Sequence, residues 1–312
     1  MNLKIHNPCN EHTRYYRYYN YFWDKLTDKL KEKYSVSENR YFEKANSERF
    51  PVTLKDGSST LLLECEYLIE NLDTSEIYVL SVSDDLSHAT LDLQNNTNLK
   101  KVLISQFYRK KIENHTHKNI SKYSPWIYFH SDYNADLNYW RQKRQKVNSL
   151  NNKLFFRGSN LESRPILRHL NNKFFEGPNS IGGSDAYFNE AIKYAVGLSV
   201  AGRGELCYRD IEYMAIGIPM LRFEYRSELY KKLIPNYHYI SVPYPENMPL
   251  DNGLPTDRLG LKEHSEMLLN KYLEVYKDIE YLQFIANNAQ EYYLNYLSLD
   301  NSIRLTLEIL DL

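Results

Sequence analysis

The chain has 312 residues, of which 42% are hydrophobic and 25% charged, and its formal net charge is −1. This composition is typical of globular proteins and excludes the broad positive field by which proteins bind nucleic acid non-specifically. A chain of this length favours two domains over one.

The start of the chain has no signal-peptide pattern, and no apolar run approaches the ~18 residues of a transmembrane span. Three widely spaced cysteines (Cys9, Cys65 and Cys207) form no metal-binding pattern and fit a reducing compartment. We therefore expect a cytoplasmic protein without a membrane span.

Strands and helices are predicted to alternate in the first half of the chain. Residues 2–5 are a candidate strand, and the aromatic stretch after them predicts a helix, because Tyr19, Phe22, Trp23 and Leu26 recur at i, i+3, i+4 and i+7. The aromatic face of this helix either packs in the core, the commoner outcome, or stacks on an acceptor sugar. Apolar runs at residues 60–69, 76–82, 101–107 and 125–129 predict further strands.

A charged, Asn-rich segment before residue 150 predicts a boundary between domains 1–150 and 151–312. Beyond it, predicted strands at 153–156, 173–175, 197–200, 219–223 and 239–242 alternate with helices at 164–170, 188–196 and 209–216. The rest of the chain from residue 261 reads as helical, and its last helices can cross back to the first domain. This alternation predicts an α/β protein with two parallel sheets and a ligand cleft at the carboxyl ends of the strands.

One loop, in the stretch AGRGELCYRDIEYMAIGIPMLR, brings glycines and arginines to the start of a predicted helix. Arg203, Gly204 and Arg209 lie where free N–H groups and the helix dipole favour an anion, so a diphosphate would suit them. Alternatively, Arg209 pairs with Asp210, Glu212 or Glu205 in a solvated network. The spacing leaves both interpretations open.

A second loop of this kind follows the predicted strand at 153–156. There Arg157, Gly158 and Ser159 stand at the strand end, before a helix. The alternative is that Arg157 pairs with a carboxylate and Ser159 is only a turn residue. Two such loops in one α/β domain favour a phosphate pocket more than either does alone.

These stretches resemble glycosyltransferase family 90, the protein O-glucosyltransferase and capsule-associated xylosyltransferase group. FFRGSN resembles that family's Phe-Trp-Arg-Gly-Ser strand end. LCYRDIEYMAIGIPMLRFEYRSELYKKLIPNYHYISVP resembles its arginine-bearing helix, the strand after it and its closing segment. The ordered match covers roughly residues 153–242, and Cys207 stands where the family often has Ser.

The resemblance implies a GT-B architecture, with two Rossmann-like domains facing a central cleft, and transfer of xylose or glucose from a UDP-sugar with inversion. The acceptor would be a glycan or protein hydroxyl, and no metal or other cofactor is expected. Arg157 and Ser159 carry over as donor-phosphate contacts and Arg209 as the diphosphate-binding arginine. The family's catalytic aspartate, the general base, maps to Asp84 in VLSVSDDL, with Asp85 adjacent.

Some alternatives stay open beside this interpretation. Asp84 and Asp85 also suit a simple turn, and Glu212 either holds ribose hydroxyls or pairs with Arg209. His115 and His117 are more typical of a polar loop than of a metal site, and no Asp-x-Asp motif occurs. The competing functions are a non-catalytic nucleotide- or glycan-binding protein and an unrelated α/β enzyme acting on another phosphorylated substrate.

Overall fold

The computed structural model describes residues 1–8, 16–40, 49–63, 65–82, 91–116, 120–127, 136–158, 164–170, 173–177, 183–201, 205–244, 250–251, 254–255 and 261–312. The α-helices are α1 (Tyr16–Lys31), α2 (Arg109–Thr116), α3 (Leu137–Arg144), α4 (Ser184–Ala191), α5 (Tyr208–Ile216), α6 (Leu261–Val275), α7 (Ile279–Tyr292) and α8 (Leu299–Leu310). The strands are β1 (Asn2–Asn7), β2 (Ser35–Arg40), β3 (Arg49–Thr53), β4 (Ser59–Leu63), β5 (Glu66–Asn71), β6 (Ile77–Ser81), β7 (Leu99–Ile104), β8 (Tyr123–Pro125), β9 (Asn151–Phe155), β10 (Phe175–Glu176), β11 (Tyr194–Leu198), β12 (Met220–Phe223), β13 (Ile240–Val242), β14 (Leu250–Asp251) and β15 (Leu254–Pro255). In the described part of the chain, no helix has both the length and the apolar character that a membrane crossing requires.

The chain divides into two compact units. The first comprises Met1–Asp132, Ser227–Lys231 and Leu299–Leu312, and the second comprises Tyr133–Arg226 and Lys232–Ser298. Helix α3 and the Asn-rich segment after it thus belong to the second unit, and α8 belongs to the first.

The first unit contains a six-stranded sheet in the order β2-β1-β5-β6-β7-β8. Its pairs β1–β2, β6–β7 and β7–β8 are parallel, as predicted, but β5 runs antiparallel to both β1 and β6. The prediction of a wholly parallel sheet is wrong here. The connection 72–76 between β5 and β6 is too short for a parallel crossover, which needs about a dozen residues. The apolar run at 60–69, predicted as one strand, forms β4 and β5 in separate sheets.

Helix α1 packs its aromatic face in the core of the first unit, as expected for the commoner outcome. The Phe22 and Trp23 side chains are fully buried. The Trp23 ring stacks on Tyr67 at 4.9 Å and on Trp126 at 5.9 Å between ring centroids. The Trp126 indole N–H donates to Thr306 Oγ1 at 3.0 Å, which ties α8 to the same aromatic column. These two rings therefore serve packing.

The second unit is built on a five-stranded sheet in the order β10-β9-β11-β12-β13, and every pair in it is parallel. The parallel prediction is confirmed for this half. The chain runs from β9 outward to β10 and then returns to β11, from which it continues in the opposite direction. The boundary between β9 and β11 is therefore a topological switch point, where ligands bind at the carboxyl ends of the strands in open α/β sheets.

Helix α5 lies against this sheet because two glycines permit it. A Cβ at Gly197 in β11 would lie 2.4 Å from Tyr213 Cε2, so only glycine lets the tyrosine ring of α5 pack flat on the strand. Gly217 ends the helix in the left-handed conformation, with φ of 80°, as its position in the sequence predicts. These contacts fix the first turn of α5 near the carboxyl ends of β9 and β11.

The boundary between α4 and β11 was predicted wrongly. Residues 188–196 read as a helix, but α4 ends at Ala191 and β11 already begins at Tyr194. Phe188, Ala191 and Ile192 are buried and continue an apolar helical pattern toward the strand. The end of α4 therefore leaves no signal in the sequence pattern.

Candidate anion-binding site

The candidate site lies where β9 and β11 end, at the switch point of the second sheet. Arg157 follows β9 directly, and Arg209 stands in the first turn of α5, which follows β11. Arg209 Nη2 donates a hydrogen bond of 2.6 Å to the Arg157 carbonyl. The two arginines that the sequence singled out are therefore neighbours within one unit.

Arg209 is buried without an ion-pair partner among the described residues. Its side chain is 9% exposed, and the guanidinium lies over the Phe156 ring at 4.1 Å from the centroid. Nε and Nη1 are buried and have no hydrogen-bond partner among the described residues. Within the same residues, no carboxylate forms an ion pair with Arg209, so the network with Asp210, Glu212 or Glu205 is not the arrangement found. Buried arginine N–H groups without acceptors are costly, and an anion would satisfy them.

The tyrosines beside Arg209 do not supply a negative charge. The Tyr213 hydroxyl donates to the Phe155 carbonyl at 3.3 Å. Burial raises the pKa of Tyr213 and of Tyr187 above the usual tyrosine value. Both hydroxyls therefore stay neutral at physiological pH, whereas the charge of Glu212 favours the protonated form of Arg209 and so raises its pKa.

Arg157, in contrast, already has carboxylate partners. Its Nη2 hydrogen-bonds to Glu190 and lies 3.7 Å from Glu176 Oε1, while Nη1 donates to the Phe156 carbonyl at 3.1 Å. Nε is buried and lacks a partner in the described part of the chain. The structure thus contains the alternative arrangement for Arg157, in which it pairs with a carboxylate. Its Nε–H is still without a partner among the described residues.

Asp210 holds the site together, a role that sequence reasoning missed. This fully buried carboxylate accepts hydrogen bonds from the Ser199 hydroxyl, from the Cys207 backbone N–H at 3.1 Å and from Arg222 Nη1 at 2.5 Å. It thereby joins the end of β11, the first turn of α5 and strand β12. An acidic residue at the third position of a helix is a capping-box signal, which marks such a side chain as already engaged.

The remaining predicted residues divide between placed and undescribed positions. Gly158 follows Arg157 with φ of 150°, a conformation that favours glycine. Glu212 is half-buried on α5, and its charge adds to the burial that raises the pKa of Tyr187. The other predicted site residues, namely Ser159, Arg203, Gly204, Asp84 and Asp85, lie outside the described residues. His115 falls in α2 rather than in a loop, and His117 is also undescribed.

No three His, Cys, Asp or Glu side chains in the described ranges come together in a cluster that could hold a metal ion.

Neither protein-family models nor curated protein sequences match this chain. Among solved structures, it is similar to a glycosyltransferase from Rickettsia africae ESF-5, with 14% identity and a TM-score of 0.46 over 72% of this chain and 67% of that one. TarM aligns at 8% identity and a TM-score of 0.43 over 92% of this chain and 89% of its own. A GtfA/B complex aligns at 9% identity and a TM-score of 0.33 over 84% and 69%. At these scores the similarity carries no argument about activity.

Proposed function

We propose that this chain is an inverting glycosyltransferase of GT-B type that transfers xylose or glucose from a UDP-sugar to a glycan or protein hydroxyl without a metal. The observation that carries the proposal is the buried Arg209 guanidinium at the switch point, where two of its nitrogens have no hydrogen-bond partner among the described residues. The order of arginine-glycine blocks that resembles family 90 supports a diphosphate as the anion. Arg157, Gly158, Ser159, Arg203 and Gly204 would complete the donor site, with Glu212 near the ribose.

The proposed reaction forms one bond and breaks another at the anomeric carbon. The acceptor oxygen attacks that carbon while its proton passes to the Asp84 carboxylate, with Asp85 as the neighbouring alternative base. The bond to the β-phosphate oxygen breaks on the opposite face, and UDP leaves with the electron pair. Negative charge grows on the diphosphate, where Arg209, Arg157 and the first turn of α5 would stabilise it.

Ligand-induced stabilisation tests the donor site. We expect UDP and inorganic pyrophosphate to raise the melting temperature, because a ligand at 100 times its Kd adds about 2.7 kcal/mol of stability. Uridine, which has no phosphate, is the matched control and should have little effect. If neither UDP nor pyrophosphate shifts the transition, the diphosphate assignment is wrong.

Turnover tests the enzyme against the non-catalytic alternative. The native chain should release UDP from UDP-xylose or UDP-glucose, and Asp84→Asn should abolish release while keeping the stabilisation by UDP. Asp85→Asn tests the alternative base: release that survives Asp84→Asn and is lost in Asp85→Asn would assign the proton transfer to Asp85. Stabilisation by UDP without release from either donor would instead favour a binding protein.

A further inference from the structure

A second pocket lies in the second unit, at the end of the sheet opposite to Arg209. It has a volume of about 450 Å³ and is bordered by Asn152 at the start of β9, Ala195 at the start of β11 and Pro219 just before β12. Helices α3 and α7 and the end of α5 provide the remaining walls. Small-molecule sites have volumes of about 300–1,000 Å³, so the pocket is large enough for one.

Arg144 in the wall of this pocket is held only by neutral groups. Its Nε donates to the Gly217 carbonyl at 3.0 Å, and its Nη1 donates to the Ile192 and Tyr194 carbonyls at 2.9 and 2.8 Å. Within the described residues it forms no ion pair with a carboxylate. Burial lowers the pKa of Arg144 to about 10, and no nearby acidic group opposes that shift. The group still carries its charge at neutral pH.

Arg141 lines the same pocket one helical turn earlier on α3. Its Nη2 donates to the Asn138 side-chain oxygen at 2.5 Å, which is again a neutral acceptor. No acidic side chain belongs to the pocket lining. The acidic residues adjacent in sequence to lining residues are Asp278, Glu280 and Glu291. The Asp278 carboxylate caps α7 by accepting from the Tyr281 N–H at 2.9 Å. Two guanidinium groups therefore share a concave surface without any lining carboxylate.

The rest of the lining is polar but uncharged, apart from an aliphatic floor. Gln283 Nε2 donates to Asn287 Oδ1 at 2.7 Å, which leaves the Gln283 oxygen and the Asn287 N–H groups available. Side-chain amides can donate to and accept from hydroxyl groups in equal measure. Those in the lining are Gln145, Asn148, Asn152, Gln283, Asn287 and Gln290.

We propose that this pocket is a second ligand site, which takes a small organic anion. Phosphate or carboxylate oxygens of the ligand accept hydrogen bonds from the guanidinium groups of Arg141 and Arg144, and its hydroxyl groups meet the amides. Arg144 keeps its Nη2 donors for this task, because its Nε and Nη1 donors go to backbone carbonyls, whereas Arg141 gives one Nη2 donor to Asn138 and keeps the others. The site is independent of the sugar transfer proposed above, since it lies at the other end of the strands.

Calorimetric titration of the full chain with inorganic phosphate and with citrate tests the proposal. The titrations use Arg209→Gln as the background, so that the first site does not contribute. We expect saturable binding of at least one anion and none of glucose, which has hydroxyls but no charge. Adding Arg141→Gln should weaken binding about tenfold or more, as the loss of a charged hydrogen bond predicts.

The controls separate a specific site from a general effect of charge. Arg304→Gln removes an exposed arginine that pairs with Glu308 on α8, and it should leave the isotherm unchanged. Arg141→Lys keeps the charge and should restore part of the affinity, which also shows that the position tolerates substitution. The proposal is overturned if Arg141→Gln binds as the background does, or if Arg209→Gln alone abolishes binding of both anions. Which anion binds more tightly identifies the ligand as a phosphate or a carboxylate.

Discussion

Two arginines of the second unit are buried within a short distance along the chain, yet their surroundings differ. Arg222, 2% exposed, donates to Asp210 at 2.5 Å, to the Phe223 carbonyl at 3.0 Å and to the Glu205 carbonyl at 3.2 Å. Its guanidinium also lies over the Tyr225 ring at 3.4 Å from the centroid. Arg209 has one hydrogen bond to a carbonyl and two buried N–H groups without a partner in the described chain.

This difference is the reason why we assign Arg222 to the fold and propose a ligand contact for Arg209. Arginine cannot lose its proton in a protein, so burial must be compensated by partners. Arg222 finds its partners inside the fold, whereas Arg209 keeps two nitrogens without a hydrogen-bond partner among the described residues. Burial alone is therefore a poor guide to function, and the informative property is which donors remain unused.

The largest expected effect comes from removing the partner of Arg222. Asp210→Asn leaves that guanidinium buried without a counter-charge and weakens the three hydrogen bonds that fix the first turn of α5. We expect the free energy of unfolding to fall by about 3–5 kcal/mol, measured by urea denaturation. Glu308→Gln, which breaks an exposed pair with Arg304, is the matched control and should cost less than about 1 kcal/mol. A loss of that smaller size in Asp210→Asn would mean that Arg222 does not depend on the pair.

His6 extends the comparison of buried basic groups, because a histidine, unlike an arginine, can lose its proton. Burial, with a smaller effect of Lys4, lowers the pKa of His6 from 6.5 to about 4. The unfolded chain therefore binds more protons than the folded chain between these values. Above pH 6.5 His6 is neutral in both states and does not lower the free energy of unfolding. That free energy falls by up to about 3 kcal/mol as the pH drops toward 4.

Urea denaturation at pH 7 and pH 4.5 measures this term when the native chain is compared with His6→Gln. We expect the native chain to lose about 2–3 kcal/mol more than the variant between the two pH values, because the variant lacks the imidazole. Parallel losses in the two chains would show that His6 does not titrate as its burial requires.

The site helix itself could be predicted from local sequence. Ile211, Met214 and Ala215 recur at helical spacing, Gly217 supplies the left-handed end, and the apolar run after it forms β12. Which arginine pairs with Asp210 could not be predicted. The pairing with Arg222 rather than Arg209 depends on the register of α5 on the sheet. The spacing between these residues along the chain contains no information about that register.

Other features show the same division between local and long-range information. The connection 72–76 is too short for a parallel crossover, so its length alone predicts that β5 and β6 are antiparallel. The pairing of β5 with β1 joins distant segments and leaves no local signal. The pocket around Arg141 draws its lining from separate stretches of the chain, so it becomes visible only in the folded unit.

Arg209→Gln tests the functional half of the comparison. Because the guanidinium forms no ion pair with the described residues, its removal should change the free energy of unfolding by no more than about 1 kcal/mol, the value of its bond to the Arg157 carbonyl. UDP binding, in contrast, should weaken about 10- to 100-fold, as the loss of a charged hydrogen bond to phosphate predicts. Urea denaturation and calorimetry measure the two quantities on the same preparation.

Arg209→Lys is the control for this variant, since it keeps the charge and should retain part of the affinity. A variant Arg209→Gln that loses several kcal/mol of stability and keeps its affinity for UDP would reverse the assignment. Arg209 would then be the structural residue of the two.

Glu190 provides the smallest and most specific test, because its carboxylate already occupies Arg157. An anionic ligand must compete with this half-buried partner, which is 28% exposed, for the same guanidinium. Glu190→Gln should therefore strengthen UDP binding by a few-fold, about 0.5–1 kcal/mol, and the gain should shrink as salt is added. Glu176→Gln is the matched control: Glu176 lies farther from Arg157, at 3.7 Å, and also pairs with Lys153 at 3.2 Å, so its effect should be smaller. Weaker binding of UDP in Glu190→Gln would instead mean that the carboxylate positions Arg157 for the ligand. Arg157 and Arg209 would then differ in how their side chains are held, and not in whether a carboxylate competes with the ligand.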